Sequence, residues 1–317
     1  MRILVVLPTR LGDAVLAGGA LALLQDRYPE ARFTLVANRL TAPLYGAMPR
    51  LDRIRLLEPT PSRRQILTLW LRAAATSWSL VVDLRPTLFT SLLVKRKRLA
   101  AQTPDPAFHP VVAFADLLGL PPPERLPLWL AEAHRKAATR LLPTDSLSNG
   151  GGSLPLLAVG PAGEDEAAIW PVERFAEAAL ALTSPGGPLP DARIAVVAEK
   201  HERVLANPLL ARLPRERRLD WVGRAPLPVL AAALRHCGLY LGTASGLLHL
   251  AAAAGCPTLA LLSPAGASSE TSGVAPWGPE TAELRAAKGE TLADLDVGAV
   301  TGAATQLLNG LQDLRQA

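Results

Sequence analysis

Three groups of residues in this chain have types and spacings that can do chemistry. The first is Asp13, in the segment Leu7-Pro8-Thr9-Arg10-Leu11-Gly12-Asp13. A carboxylate placed where an apolar run breaks and a helical one starts can cap the helix, or act as a general base kept ionised by the helix N-terminus. These residues alone leave both readings open. The second group is Gly242-Thr243-Ala244-Ser245-Gly246, followed by His249. Small residues at a strand-to-helix turn let backbone amides approach a phosphate whose charge the helix N-terminus favours. Ser245 and Gly246 are the expected amide donors, with the Ser245 hydroxyl as a further contact. His249 lies one turn into the helix and can face the same phosphate. A tight turn beside a satisfied core histidine is the competing reading. The third group is basic: Arg10, Arg39, Arg63, Arg64 and Arg85, joined by Lys95–Arg98. Loops after parallel strands converge on one rim, so these side chains can meet an anionic acceptor or a lipid headgroup. Read alone, the Lys95–Arg98 run is a solvated end of a helix that complements its dipole.

The elements that position these groups follow from periodicity. Ile3–Leu7 is a short apolar β-branched run, Pro8–Gly12 breaks it, and apolar residues then recur at helical spacing until Tyr28-Pro29. Strand, loop and helix make the first unit of an open α/β sheet, whose ligands bind beyond the strand C-termini. Arg32–Ala37, Ile54–Leu57 and Leu80–Leu84 read as further strands. Gln65–Thr76 and Val111–Leu118 read as helices, and so do Leu128–Leu142 and the stretch from Thr87 through Leu93. His109 and His134 read as surface residues. In the second half, Leu156–Val159 starts a new sheet with a loop Gly160–Gly163 after it. Ala192–Ala198 is followed by a loop carrying Glu199, His201 and Glu202, and Leu219–Val222, Leu239–Leu241 and Thr258–Leu262 complete the strands. Leu292–Leu311 reads as a last amphipathic helix. Strands alternating with helices predict mostly parallel sheets.

Bulk composition bounds the class. A chain of 317 residues fits two domains of ordinary size, and the Gly/Ser-rich stretch Thr144–Pro155 reads as the linker between them. With 49% hydrophobic and 19% charged residues, sizeable cores can be buried and intrinsic disorder is excluded. The apolar runs are too short for a spanning helix and the start lacks the pattern of a signal peptide, so a cytoplasmic protein is expected. A formal charge of +5 suits an anionic partner. Aromatics at 4%, without basic interleaving, argue against a nucleic-acid partner. Cys237 and Cys256 read as buried thiols. Neither the dinucleotide nor the P-loop glycine pattern is present, nor a metal-ligand spacing or a nucleophile elbow.

Taken together and in order, LPTRLGDAVLAGGAL, IWPVERFAEAAL, LDWVGRAPLPVLAAAL and LGTASGLLHLAAAAGCPTLALLSP resemble the landmarks of glycosyltransferase family 9, the ADP-heptose:lipopolysaccharide heptosyltransferases. The resemblance implies a GT-B architecture of two facing Rossmann-like domains with parallel sheets. It implies an acceptor-binding domain over 1–149 and a nucleotide-sugar domain over 150–295. A C-terminal helix, 296–317, would pack back on the first domain. It further implies an inverting glycosyltransferase that moves heptose or a similar sugar to a lipopolysaccharide-type or other envelope glycan. The nucleotide-sugar, ADP-linked by resemblance, would be a co-substrate, with neither a cofactor nor a metal. The acceptor would be an anionic lipid-linked glycan at the inner face of the membrane. Asp13 matches the family's base. Ser245, Gly246 and His249 match its donor-diphosphate signature, with Gly242, Thr243, Gly160 and Glu202 beside them. Arg10, Gly12, Arg39 and Arg85 fall to the acceptor side.

Three positions depart from the family pattern. Thr243-Ala244 stands where the family has Asn/Val-Asp. Ala168 and Ile169 replace a cation before Trp170, and Glu164, Asp165 and Glu166 make that loop acidic. These departures motivate a second reading from another class, a non-catalytic GT-B relative that binds a nucleotide or glycan as an assembly partner. A nucleotide-sugar epimerase and a dinucleotide oxidoreductase fit less well, because their carboxylate and glycine patterns are missing.

Overall fold

The computed structural model describes residues 1–85, 87–101, 108–143, 155–163, 169–264 and 274–316. The expected linker at Thr144–Pro155 and the acidic loop 164–168 therefore lie, but for Pro155, outside the described residues. The chain divides into two compact units, Met1–Leu130 and Ala131–Ala317.

The first unit is a five-stranded sheet in the order β3-β2-β1-β4-β5. Its strands are β1 (Arg2–Val6), β2 (Arg32–Ala37), β3 (Leu51–Leu56), β4 (Trp78–Asp83) and β5 (Lys95–Ala100), every neighbouring pair parallel. The central β1 is apolar because both its faces are covered: Ile3, Leu4 and Val5 are fully buried. Burying each such side chain contributes roughly 1.5–3 kcal/mol. Helices α1 (Leu11–Arg27), α2 (Arg63–Ala74) and α3 (Pro110–Leu118) link or flank the strands. Ser62 and Gln65 close a reciprocal capping box on α2. On α1, a Cβ at Gly19 would stand 3.0 Å from Pro123 and 3.1 Å from Leu126, so the missing side chain lets segment 123–126 lie against the helix.

Two expectations are corrected in this unit. Lys95–Arg98 does not end a helix but forms most of β5, paired with β4 from Trp78↔Lys95 to Asp83↔Ala100. Only a 3-10 turn, Leu88–Leu92, precedes it. The charges stand on an edge strand, where lysine and arginine discourage pairing with a further chain. Leu128–Leu142 is helical only over α4 (Glu132–Ala138), the first helix of the second unit, because the proline-rich stretch before it cannot donate a helical ladder. His109 and His134 each accept a backbone N–H at a helix start, from Val111 and Ala131.

The second unit is a six-stranded sheet, β11-β10-β9-β6-β7-β8, again all parallel. It comprises β6 (Leu156–Gly160), β7 (Arg193–Val196), β8 (Arg218–Asp220), β9 (Leu239–Thr243), β10 (Thr258–Leu262) and β11 (Thr281–Arg285). The helices are α5 (Val172–Leu182), α6 (Arg203–Arg212), α7 (Leu227–Leu234), α8 (Gly246–Ala253) and α9 (Val297–Gln316). Leu157, Val159, Leu239, Leu241, Leu259 and Leu261 form one face of its core with α5 and α9. The helix expected to return to the first domain, α9, buries Val300, Ala304 and Leu308 in this core and packs on α5 and β9–β11. Trp170 donates from Nε1 to the Leu295 carbonyl at 3.1 Å, and Arg174 donates to the carbonyls of Leu295 (2.7 Å) and Ala293. Strand β11 went unread because TAELR is half polar, as befits an edge strand. Cys237 and Cys256 are free, buried thiols. Among the described residues, no helix is long and apolar enough to cross a membrane.

Candidate functional site

In the first unit, β1 delivers Asp13 to the C-terminal edge of the sheet, though not as the helix cap. Arg10 takes that position, and Ala14 N–H already bonds its carbonyl at 3.0 Å. Leu11 and Gly12 are therefore helical, and Asp13 is the third residue of α1, half-buried in the first turn. A carboxylate there is stabilised in its charged form by the helix dipole. Arg39 pairs with Glu58 at 3.0 Å, and the Arg85 guanidinium donates to the Pro59 carbonyl at 2.8 Å. Both arginines are thus tied to the loop between β3 and α2. Arg10 and Gly12 stand beside Asp13 at the opening of α1.

The same edge holds a carboxylate that the sequence reading passed over. Asp83, the last residue of β4, is fully buried; its Oδ2 accepts from the Thr87 N–H, the Thr87 hydroxyl and the Thr90 hydroxyl (3.1, 2.6 and 2.7 Å). Arg98 lies 3.6 Å from the same oxygen. Within LVVDL the residue reads as the end of an apolar strand, and its partner Arg98 comes within reach only because Lys95–Ala100 is a strand beside it.

In the second unit, the turn after β9 forms as the small residues suggest. Strand β9 runs through Gly242 and Thr243, and Ser245 is the N-cap of α8, its hydroxyl accepting from Leu248 N–H at 3.4 Å. The first-turn N–H groups of Gly246 and Leu247 have no acceptor within the helix, as at any helix start. His249 is buried in the first turn. The Thr243 hydroxyl donates to the Ala162 carbonyl at 2.8 Å, tying the loop after β6 to the end of β9.

Gly160 and Gly242 are opposite each other in register. Both make room for Tyr240, which is fully buried. A Cβ at Gly160 would overlap the Tyr240 hydroxyl and stand 2.8 Å from Cζ, and one at Gly242 would stand 2.7 Å from the ring. The Tyr240 hydroxyl lies beside the Ser245 side chain without reaching good hydrogen-bond geometry. Burial pushes its pKa up; Ser245 pulls it down and Glu202 adds to the rise. Tyr240 thus brings Gly160, Gly242 and Ser245 to one place at the C-terminal edge of the sheet. Sequence could not find it, because one of the two glycines that admit the ring, Gly160, lies on another strand.

Glu202 accepts from Glu199 N–H at 2.7 Å and so closes the turn after β7. Burial first, and Glu202 second, raise the Glu199 pKa, against a lowering effect of His201. The arrangement can therefore hold a diphosphate on backbone amides and hydroxyls, with two carboxylates available to sugar hydroxyls. Among the described residues, no cluster of three His, Cys, Asp or Glu side chains is placed to hold a metal ion.

The model of glycosyltransferase family 9 (heptosyltransferase) matches residues 78–296, a span that includes the Ser245 turn and excludes Asp13. No curated protein matches the chain significantly. Among solved structures, the glycosyl transferase family 9 protein of Veillonella parvula is similar with TM-score 0.79 at 19% identity, over 98% of this chain and 97% of that one. The ADP-heptose lipopolysaccharide heptosyltransferase II of E. coli gives 0.74 at 22% identity, over 98% and 100%. The E. coli heptosyltransferase WaaC, solved with ADP, gives 0.72 at 19% identity, over 97% and 100%. With a family model spanning most of its length and a GT-B fold of two parallel-sheet domains, the chain belongs to glycosyltransferase family 9 and is a glycosyltransferase.

Proposed function

We propose that this enzyme transfers a sugar, heptose or a close relative, from an ADP-linked donor to a hydroxyl of an anionic, lipid-linked envelope glycan, with inversion at the anomeric carbon. The observation that carries the reading is the Ser245-capped start of α8, where Gly246 and Leu247 offer N–H groups at the end of a fully buried strand. Such a terminus stabilises the charge that develops on a departing nucleoside diphosphate. Thr243 and Gly160 shape this turn, while His249 and Glu202 complete the donor side. The E. coli relative solved with ADP supports adenine as the base.

On the acceptor side, Asp13 serves as general base. The acceptor O–H gives its proton to the Asp13 carboxylate as the oxygen forms a bond to the anomeric carbon. The bond from that carbon to the phosphate oxygen breaks, and its electron pair leaves with the nucleoside diphosphate. Arg10, Arg39 and Arg85 attract the acidic groups of the acceptor, and the Gly12 backbone flanks the base. The enzyme then works in the cytoplasm, peripherally at the inner membrane.

Calorimetry with ADP-, UDP- and GDP-sugars tests this reading. Binding of an ADP-sugar, with release of ADP when a lipid-linked glycan is added, is the expected result. Binding without hydrolysis or transfer would favour a non-catalytic assembly partner, and binding of none of the three would overturn both.

A further inference from the structure

At the opposite, N-terminal edge of the first sheet, a cavity of about 280 Å³ opens among charged side chains. Four arginines line it: Arg2, Arg32, Arg53 and Arg55. The register explains why they meet. Arg2 pairs with Arg32 and Thr34 with Arg53, so strand alternation puts Arg2, Arg32, Thr34, Arg53 and Arg55 on one face of β1–β3. Thr34 is buried at the base of the cavity, and Trp78 forms part of its wall.

Charge in this cavity is unbalanced. Its single carboxylate, Asp52, is paired with Arg53 at 3.1 Å. Among the described residues, the guanidinium groups of Arg2 and Arg32 have no ion pair, and the buried Arg55 Nε has no hydrogen-bond partner. Arg55 is nonetheless fixed in place, since its terminal nitrogen donates to the Arg72 carbonyl at 3.1 Å. Burial lowers the Arg55 pKa most, Arg53 and Arg72 lower it further, and Asp52 opposes them. Holding several like charges together costs free energy that a bound anion would recover.

We infer that this cavity is an anion site for a phosphate ester or pyrophosphate group, separate from the transfer chemistry at the other end of the strands. A single carboxylate would leave most of the positive charge unmatched. A phosphate carries two charges on oxygens that match the guanidinium fork. The group can belong to a lipid headgroup or to a free phosphate ester.

Inorganic pyrophosphate, titrated calorimetrically into wild type and into an Arg32→Gln/Arg55→Gln double variant, tests the site. ADP is held at saturation throughout, so that the α8 turn is filled. Wild type is expected to bind pyrophosphate in a salt-sensitive manner, and the double variant at least tenfold more weakly. Should the double variant fail to fold, Arg32→Gln, which alters an exposed side chain, carries the comparison. Sedimentation with phosphatidylglycerol or phosphatidylcholine vesicles separates the sources. Co-sedimentation with the anionic vesicles alone, lost in Arg32→Gln and displaced by pyrophosphate, assigns the group to a headgroup. Pyrophosphate binding without co-sedimentation assigns it to a free ester. Identical pyrophosphate isotherms for wild type and variant, with identical vesicle behaviour, overturn the inference.

Discussion

The C-terminal edges of the two sheets are built from different materials. The first carries formal charge: Asp13 in the opening turn of α1, Asp83 buried at the end of β4, and Arg39 and Arg85 tethered to the loop between β3 and α2. The second, beside the carboxylates Glu199, Glu202 and Asp220, carries a turn of dipoles and small residues: the Ser245 cap, the first-turn N–H groups of α8, the Thr243 hydroxyl, and two glycines packed around a tyrosine. In the proposed reaction the difference matches two chemical tasks. Removing a proton needs a charged oxygen that can accept it. Binding a diphosphate that is to leave needs fixed donors that do not bind so strongly as to retain the product. In the proposed reaction the first edge supplies the base and the second holds the leaving group.

Substitutions can break or sharpen this contrast. Asp13→Asn is expected to have the largest effect, lowering turnover by about 10²–10⁴-fold while circular dichroism and thermal unfolding stay as in wild type. Turnover like that of wild type would remove the first edge from the chemistry. Gly160→Ala attacks the second edge through packing. The added methyl group collides with Tyr240, and unfolding in denaturant should show a loss of about 1–3 kcal/mol.

Asp220→Asn probes charge in the second unit, at the end of β8. Burial alone would raise the Asp220 pKa, but hydrogen bonds from Arg203, Arg224 and the Val222 N–H outweigh it and hold the pKa below the usual aspartate range. A depressed carboxyl contributes stability above its unfolded pKa and loses it as pH falls through the folded value. The variant should therefore be about 1 kcal/mol less stable at neutral pH, with the gap closing in acid. A gap constant with pH would mean that the charge is not responsible. Tyr240→Phe is the smallest change. Deleting a buried hydroxyl that lacks a well-made hydrogen bond should leave stability unchanged or raise it by about 1 kcal/mol. A marked loss would show that the hydroxyl is firmly held by Ser245.

What could be read in the sequence were features determined locally. Buried strands such as Ile3–Val6 and Leu239–Leu241 are continuous apolar runs because parallel sheets are covered on both faces, and the Ser245 turn is a run of small residues. The alternation of strand and helix, together with the family resemblance of four motifs, led to the fold. Features that depend on register could not be read. Lys95–Arg98 has the composition of a solvated helix end, and only pairing with β4 makes it a strand. Tyr240 needs Gly160, eighty residues earlier, to fit. Asp83 needs Thr87, Thr90 and Arg98 to reveal it as more than the end of a strand. The position of Asp13 in the helix turned on whether Leu11 and Gly12 joined it, a difference of one turn that composition does not encode.

The bonds from Trp170 and Arg174 to the carbonyls of Ala293 and Leu295 have a consequence for synthesis. Residues near the start of the second unit find their acceptors only in a segment translated more than a hundred residues later, and α9 fills the core after that. The second unit therefore cannot complete its fold until the ribosome has extruded the chain past Leu308. The first unit, whose strands and helices all lie before Leu130, can fold while translation continues.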